Sequence, residues 1–222
     1  TVGVAALAHL LFGQVGWMHR YEPYIIVSLL AAFLLAGSVA GSGAARLAQG
    51  TALATMAAAA VAYGPTLWGT YVWNPRAIHL QQAQMARFAQ DYLREPVAVN
   101  DLGRVAWGNS DYVLDIWGLG STDARLTRFG PVAPSDGWAG PLAAAHGVKV
   151  AMIYDKWFAG AVAPDWVRVA TLSLVPPRGV LGDWKVAIYA TDGAFVPQLR
   201  DRLAAFAATL PDGAILTAEG GP

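Results

Sequence analysis

Apolar residues fall along this chain in two regimes. Up to about residue 72 they run almost unbroken; beyond Asn74 they come in short bursts between polar residues. In the first regime three apolar segments stand out: Thr1 to about Trp17, Tyr24 to about Ala40, and Gly50 to about Val72. A membrane span takes about 17–25 mostly apolar residues. The pattern therefore predicts about three spans, the third interrupted by Pro65. Trp17, Tyr21 and Tyr24 cluster at one junction, and Trp68, Tyr71 and Trp73 at the end of the third segment. Such amphipathic rings favour a water boundary. The loop from Gly41 to Gln49, with Arg46, is then expected on the cytoplasmic side and both aromatic clusters on the other. Small residues such as Gly37, Gly41 and Ala57 to Ala60 suit close helix packing in lipid.

In the second regime the periodicity changes. Asn74-Pro75 reads as the start of a helix, with Asn as N-cap, followed by Ile78, Met85, Phe88 and Tyr92 at helical spacing; Pro96 closes the region. Five apolar runs read as strands: Val97 to Val99, Tyr112 to Ile116, Val148 to Tyr154, Trp166 to Leu174 and Trp184 to Tyr189. Helical patterns lie at Ser121 to Phe129, Pro141 to His146 and Pro197 to Leu210. Helices between the early strands imply parallel βαβ units, whereas Pro176-Pro177-Arg178-Gly179 suggests an antiparallel hairpin between the last two. The tail from Thr217 to Pro222 reads as frayed. The expected fold is thus a membrane α-helical segment of about three spans (1–73) followed by a soluble α/β domain (74–222) with a mixed, mostly parallel sheet. The domain would lie on the periplasmic, exoplasmic side of a multi-pass protein of the bacterial inner membrane.

Composition sharpens the contrast. Hydrophobic residues make up 55% and charged residues 14%, against about a quarter charged in ordinary soluble domains. Before Asn74 the charged residues are Arg20, Glu22 and Arg46 alone. Net charge is zero, so nothing points to nucleic acid. Cysteine is absent, which removes disulfides, thiolate metal sites and a cysteine nucleophile. The opening on Thr1 inside an apolar segment suggests a cut point in a longer polytopic protein.

Two constellations carry candidate chemistry. His19, Arg20, Glu22 and Tyr24 lie between two apolar segments. They read as an interfacial belt or as a substrate loop, in which a guanidinium clamps a phosphate and His19 or Glu22 contacts sugar hydroxyls. Asn100 and Asp101 end one predicted strand, and Asp115 interrupts another. The carboxyl ends of parallel strands gather ligands, but the same residues serve equally to cap turns. Gly118-x-Gly120 imitates a dinucleotide turn, yet Asp123 at the third glycine position would repel a pyrophosphate; Ser121 or Thr122 reads better as an N-cap. His9, His79 and His146 stand alone, so no metal is expected, and Asp155-Lys156-Trp157 reads as a surface turn.

The stretch from Trp17 to Tyr24 resembles the late exoplasmic loop of bacterial polytopic GT-C-type glycosyltransferase-like proteins. The stretches Arg76 to Met85, Val97 to Gly103 and Leu114 to Gly120 are similar to theirs as well. The resemblance implies a transferase that moves a sugar from a polyprenyl-phosphate donor to an envelope glycan or lipid acceptor, in contact with the lipid bilayer and without a cofactor. It also implies that the general base lies in an earlier loop, upstream of Thr1, so no catalytic residue is carried over. Arg20 and Glu22 are at most partners of the lipid phosphate or the acceptor. The alternative is a non-catalytic, membrane-anchored glycan-binding or assembly module.

Overall fold

The computed structural model describes residues 2–13, 21, 23–39 and 41–220. The chain divides into two compact units, one ending at Tyr71 and the other beginning at Val72.

Among its described residues the first unit contains three helices: α1 (Val2–Phe12), α2 (Pro23–Val39) and α3 (Ser42–Thr70). Their geometry corrects the expectation of three membrane spans: no helix among the described residues is long and apolar enough to cross a membrane. Helix α1 has 11 residues and α2 has 17. At 1.5 Å per residue, α2 reaches only about 26 Å against a hydrocarbon core of about 30 Å. Helix α3 has 29 residues, but it absorbs the stretch expected to be a connecting loop. It therefore carries Ser42, Arg46 and Gln49, and the remainder is rich in alanine, glycine and threonine. A multi-pass inner-membrane placement, with the α/β part held on the exoplasmic side, accordingly has no span to rest on among the described residues.

The second unit opens with α4 (Trp73–Leu80), α5 (Gln82–Arg87) and a π-helical turn at Phe88–Leu93. Asn74 does not cap α4, since it lies inside the helix. Its Oδ1 instead accepts the Val180 N–H at 2.7 Å. Arg94, left-handed at φ 52°, ends the turn. Then follow β1 (Val97–Val99), α6 (Leu102–Ala106), β2 (Val113–Asp115), α7 (Thr122–Phe129), α8 (Ala139–Ala145), β3 (Val150–Ile153) and α9 (Asp155–Phe158). A short 3-10 turn (Ala159–Ala161), β4 (Val167–Leu174), β5 (Lys185–Ala190), a second 3-10 turn (Gly193–Phe195), α10 (Val196–Ala207) and β6 (Ala214–Ala218) complete it.

The six strands form one sheet in the order β2-β1-β3-β5-β4-β6. Strand β1 pairs in parallel with β2 and β3; the β3–β5, β5–β4 and β4–β6 pairs are antiparallel. The sheet is therefore mixed but not mostly parallel. The reason is local: the β4–β5 hairpin returns directly, and the chain after α10 adds β6 antiparallel to β4 instead of fraying. Side chains alternate across the sheet with period two. Val97, Val99, Val150 and Met152 pack with Leu80, Phe88, Leu199 and Phe206 on one face. Ala98, Leu114, Ala151 and Ile153 pack with Ala139, Ala143 and Phe158 on the other. Strands β1 and β3 are thus apolar on both sides, as strands covered on both faces require.

Candidate functional site

The chain leaves β1 towards the face that holds Val105 of α6, and leaves β3 towards the opposite face, where Phe158 of α9 packs. A crevice opens where neighbouring parallel strands send their connections to opposite faces. Here it lies between the carboxyl ends of β1 and β3, where Asn100 and Asp101 meet Tyr154. Asn100 Oδ1 accepts the Tyr154 N–H at 2.8 Å. Gln81 and Gln82, at the start of α5, close the crevice and are buried despite their polarity. Gln82 Nε2 lies 3.0 Å from Asp101 Oδ2, 3.1 Å from Gln81 Oε1 and 3.2 Å from the Tyr154 hydroxyl. That hydroxyl donates to Gln81 Oε1 at 2.7 Å. Burial, followed by the charge of Asp101, pushes the Tyr154 phenol well above its usual range, so it stays neutral and donates. The loop between β4 and β5 supplies a roof: Gln81 Nε2 donates to Asp183 O at 2.9 Å, and Lys156 Nζ lies 3.5 Å from Asp183 Oδ2.

Asp115, fully buried, organises the turn after β2. Its Oδ1 accepts the Trp117 N–H at 2.9 Å and its Oδ2 the Gly120 N–H at 2.7 Å. Ser121 precedes α7 but does not cap it; its hydroxyl oxygen accepts the Asp115 N–H at 2.9 Å. The Arg128 guanidinium donates to Trp117 O at 2.7 Å and lies 4.5 Å from the Trp117 ring centroid and 4.9 Å from that of Phe158. Burial lowers the Arg128 pKa, and the Asp115 charge opposes that shift. Asp115 is therefore a framework group that compensates a half-buried cation.

Beside Arg128 runs a groove of ≈ 140 Å³ whose wall includes Asp136, Trp138, Trp157 and Phe158. It continues, through the shared Pro134 and Trp138, into a shallower trough of ≈ 430 Å³ with apolar walls from Leu126, Val132 and Leu142. Trp157 joins this groove to the crevice: its ring centroid lies 5.6 Å from that of Trp117 and 5.4 Å from that of Tyr154. The Gly137 N–H, bonded to Gly160 O at 2.9 Å, ties the loop carrying Asp136 to the turn after α9.

The sequence candidates separate into three fates. Asn100 and Asp101 come together in the crevice, and Asp115 holds the adjoining turn. Tyr24 lies elsewhere, at the start of α2, with its hydroxyl 2.9 Å from His9 Nδ1. His19, Arg20 and Glu22 fall outside the described residues. Sequence reasoning missed Gln81, Gln82, Tyr154, Arg128, Trp138 and Trp157 as site residues. It also read Asp155 as part of a turn, whereas its carboxylate binds Arg168 at 2.6 Å and the Tyr189 hydroxyl at 2.9 Å. His146 is not alone either: its Nε2 lies 3.6 Å from Asp123 Oδ2, and its ring stacks on Tyr112 at 4.6 Å. Among the described residues no group of His, Asp or Glu is arranged to hold a metal ion.

No curated protein and no solved structure matches the chain. The profile of one family, a domain of unknown function (DUF8728), matches residues 73–189. That span covers just over half of the chain and includes every crevice and groove residue named above. The chain therefore belongs to the DUF8728 family.

Proposed function

We propose that the unit from Val72 onward is a glycan-binding domain that seats a saccharide on Trp138 and Trp157. It would serve as the non-catalytic, recognising part of sugar-transfer machinery that draws on a polyprenyl-phosphate donor and extends an envelope glycan or lipid. The observation that carries this reading is the groove that sets two indoles beside Arg128 and Asp136. A pyranose presents an apolar C–H face and a rim of hydroxyls. A tryptophan wall takes the face, while a guanidinium and a carboxylate take the rim. Few polar groups among aromatic ones is the usual composition of such a cleft.

Binding is favoured over catalysis by this chain because the carboxylates at its strand ends are held in hydrogen bonds or ion pairs, while Asp136 of the groove takes the sugar rim in this reading. A general base must have a lone pair within reach of the acceptor proton. Asp115 is buried in its turn, Asp155 is paired with Arg168 and Tyr189, and Asp101 accepts from Gln82. The transferring step then belongs to other parts of the machinery, as the sequence resemblance implies.

The test is ligand-observed magnetic resonance on the full chain with a panel of neutral hexose and pentose oligosaccharides. At least one member should bind, and Trp157→Ala and Trp138→Ala should each weaken it about tenfold, the loss of one aromatic wall. If no member binds, or if both variants bind like the parent, the reading fails.

A further inference from the structure

The crevice between β1 and β3 holds polar atoms that the aromatic groove does not use. Gln82 is 4% exposed and Asn100 6%. Gln82 Oε1 and Asn100 Nδ2 are buried with no hydrogen-bond partner among the described residues. Exchanging the oxygen and nitrogen of either amide does not relieve this. An oxygen at the Gln82 Nε2 position would face two oxygens that only accept, those of Gln81 and Asp101. A nitrogen at the Asn100 Oδ1 position would face the Tyr154 N–H. An unpaired buried amide atom forfeits its hydration without a compensating hydrogen bond. Native cores hold few of them, and each calls for an explanation. Here one acceptor and one donor sit at the topological switch point of the sheet, where α/β folds place ligands.

The roof over these atoms is Leu181 to Asp183. A Cβ on Gly182 would lie 2.6 Å from Trp157 Cη2 and 2.9 Å from Tyr154 Cε2, so only glycine lets the roof rest on both rings. The roof therefore shares the Trp157 indole with the groove. Its outer tie, Lys156 to Asp183, has a lysine side chain 71% exposed, and solvent weakens such a pair.

We propose that Gln82 and Asn100, together with Asp101, form a second subsite for the hydroxyls of a neutral saccharide, reached when a sugar seated on Trp157 lifts the Gly182 roof. This rests on the glycan-binding reading and adds the specificity-determining groups. A hydroxyl donates to Gln82 Oε1 or Asp101 and accepts from Asn100 Nδ2, which no purely anionic or cationic ligand does. An anion is opposed by Asp101 and Asp183. A cation, though attracted by Asp101 and Asp183, leaves the orphan Asn100 donor unpaired.

The test uses the full chain and the tightest-binding oligosaccharide of the panel above. Gln82→Met keeps the side-chain volume and removes the orphan acceptor. Asn100→Asp keeps the acceptor for Tyr154 N and removes the orphan donor. Each should weaken binding at least tenfold at temperatures where it is folded. Some loss of thermal midpoint is expected, since Gln82→Met also removes the Nε2 donor to Asp101 and Asn100→Asp buries a charge beside Asp101. In the unaltered protein, the oligosaccharide should speed amide hydrogen exchange at Gly182 and Asp183, a readout that needs no variant to fold. If the oligosaccharide binds but exchange at the roof is unchanged and both variants bind within twofold of the parent, the subsite is overturned and the groove reading stands. If the variants lose only thermal stability, with affinity and roof exchange unchanged, the two amides serve folding and the proposal is likewise overturned. If no saccharide binds at all, the reading and the subsite fall together.

Discussion

The Asp115 carboxylate takes N–H groups from residues two and five positions further along the chain, and it has no solvent exposure. That combination makes it a framework residue. Asp115→Asn would turn one accepting oxygen into a donor facing an N–H and would leave Arg128 without its nearby negative charge. Loss of a charge-assisted bond of this kind costs about 1.5–3 kcal/mol. The expected outcome is an unfolding free energy lowered by that amount in urea titrations followed by circular dichroism, with the tryptophan groove loosened because Arg128 stacks on Trp117. The position of Asp115 inside an apolar run was legible in the sequence; its role was not, because its partners are backbone N–H groups that leave no mark on residue identity. Asn100 and Asp101 were legible for a similar reason, since polar residues that end an apolar strand stand out. Gln81 and Gln82 were not. A glutamine pair on a helix reads as a solvated face, and only the strand ends beneath it make burial tolerable.

At the scale of elements, one cluster fastens several strands. The Asp155 carboxylate, after β3, binds Arg168 of β4 and accepts from the Tyr189 hydroxyl of β5. Arg168 Nε lies 3.2 Å from Glu219 Oε1, just past β6, and Glu219 also accepts from Thr171 of β4 at 2.7 Å. Burial first, and the bond to Asp155 second, push the Tyr189 phenol up to about 12 from 10.0. The folded state therefore holds this proton more tightly than the unfolded chain does. The stabilisation is fully present below pH 10 and is lost as pH rises towards about 12. Urea unfolding at pH 9 and pH 11 should show falling stability across that window, and Tyr189→Phe should flatten the fall. An equal slope in the variant would remove Tyr189 from the account.

The same cluster explains why β6 was not foreseen. Ala214 to Ala218 is a weak, half-exposed alternation, and its place is set by pairing with β4 and by Glu219. Strands β1, β3 and β5 announced themselves because both of their faces are apolar, and β2 and β4 because their polar residues sit within apolar runs. The direction of pairing was less legible than the strands, since a hairpin and a crossover leave similar apolar runs.

For the molecule as a whole, the two compositional regimes correspond to a helical unit and an α/β unit. Mean apolarity alone was a poor guide to the first of these. The apolar residues there are real, and Leu10, Phe12, Leu35, Val61 and Trp68 are exposed on their helices. Spanning, however, depends on where helices begin and end, and α2 ends too early while α3 begins among polar residues. In the second unit the sheet topology places a crevice and an aromatic groove side by side, and Trp157 belongs to both.

The claim that this groove receives a saccharide is tested most directly by the indole N–H resonances of the full chain during titration with the oligosaccharide panel. The account predicts that the signals of Trp138 and Trp157 shift with a common saturation curve. Trp107, 76% exposed at the end of α6 and outside the groove, should stay in place as an internal control. Shifts at Trp107 equal to those at Trp138 and Trp157, or no shift at any indole up to the solubility limit of the sugars, would contradict it.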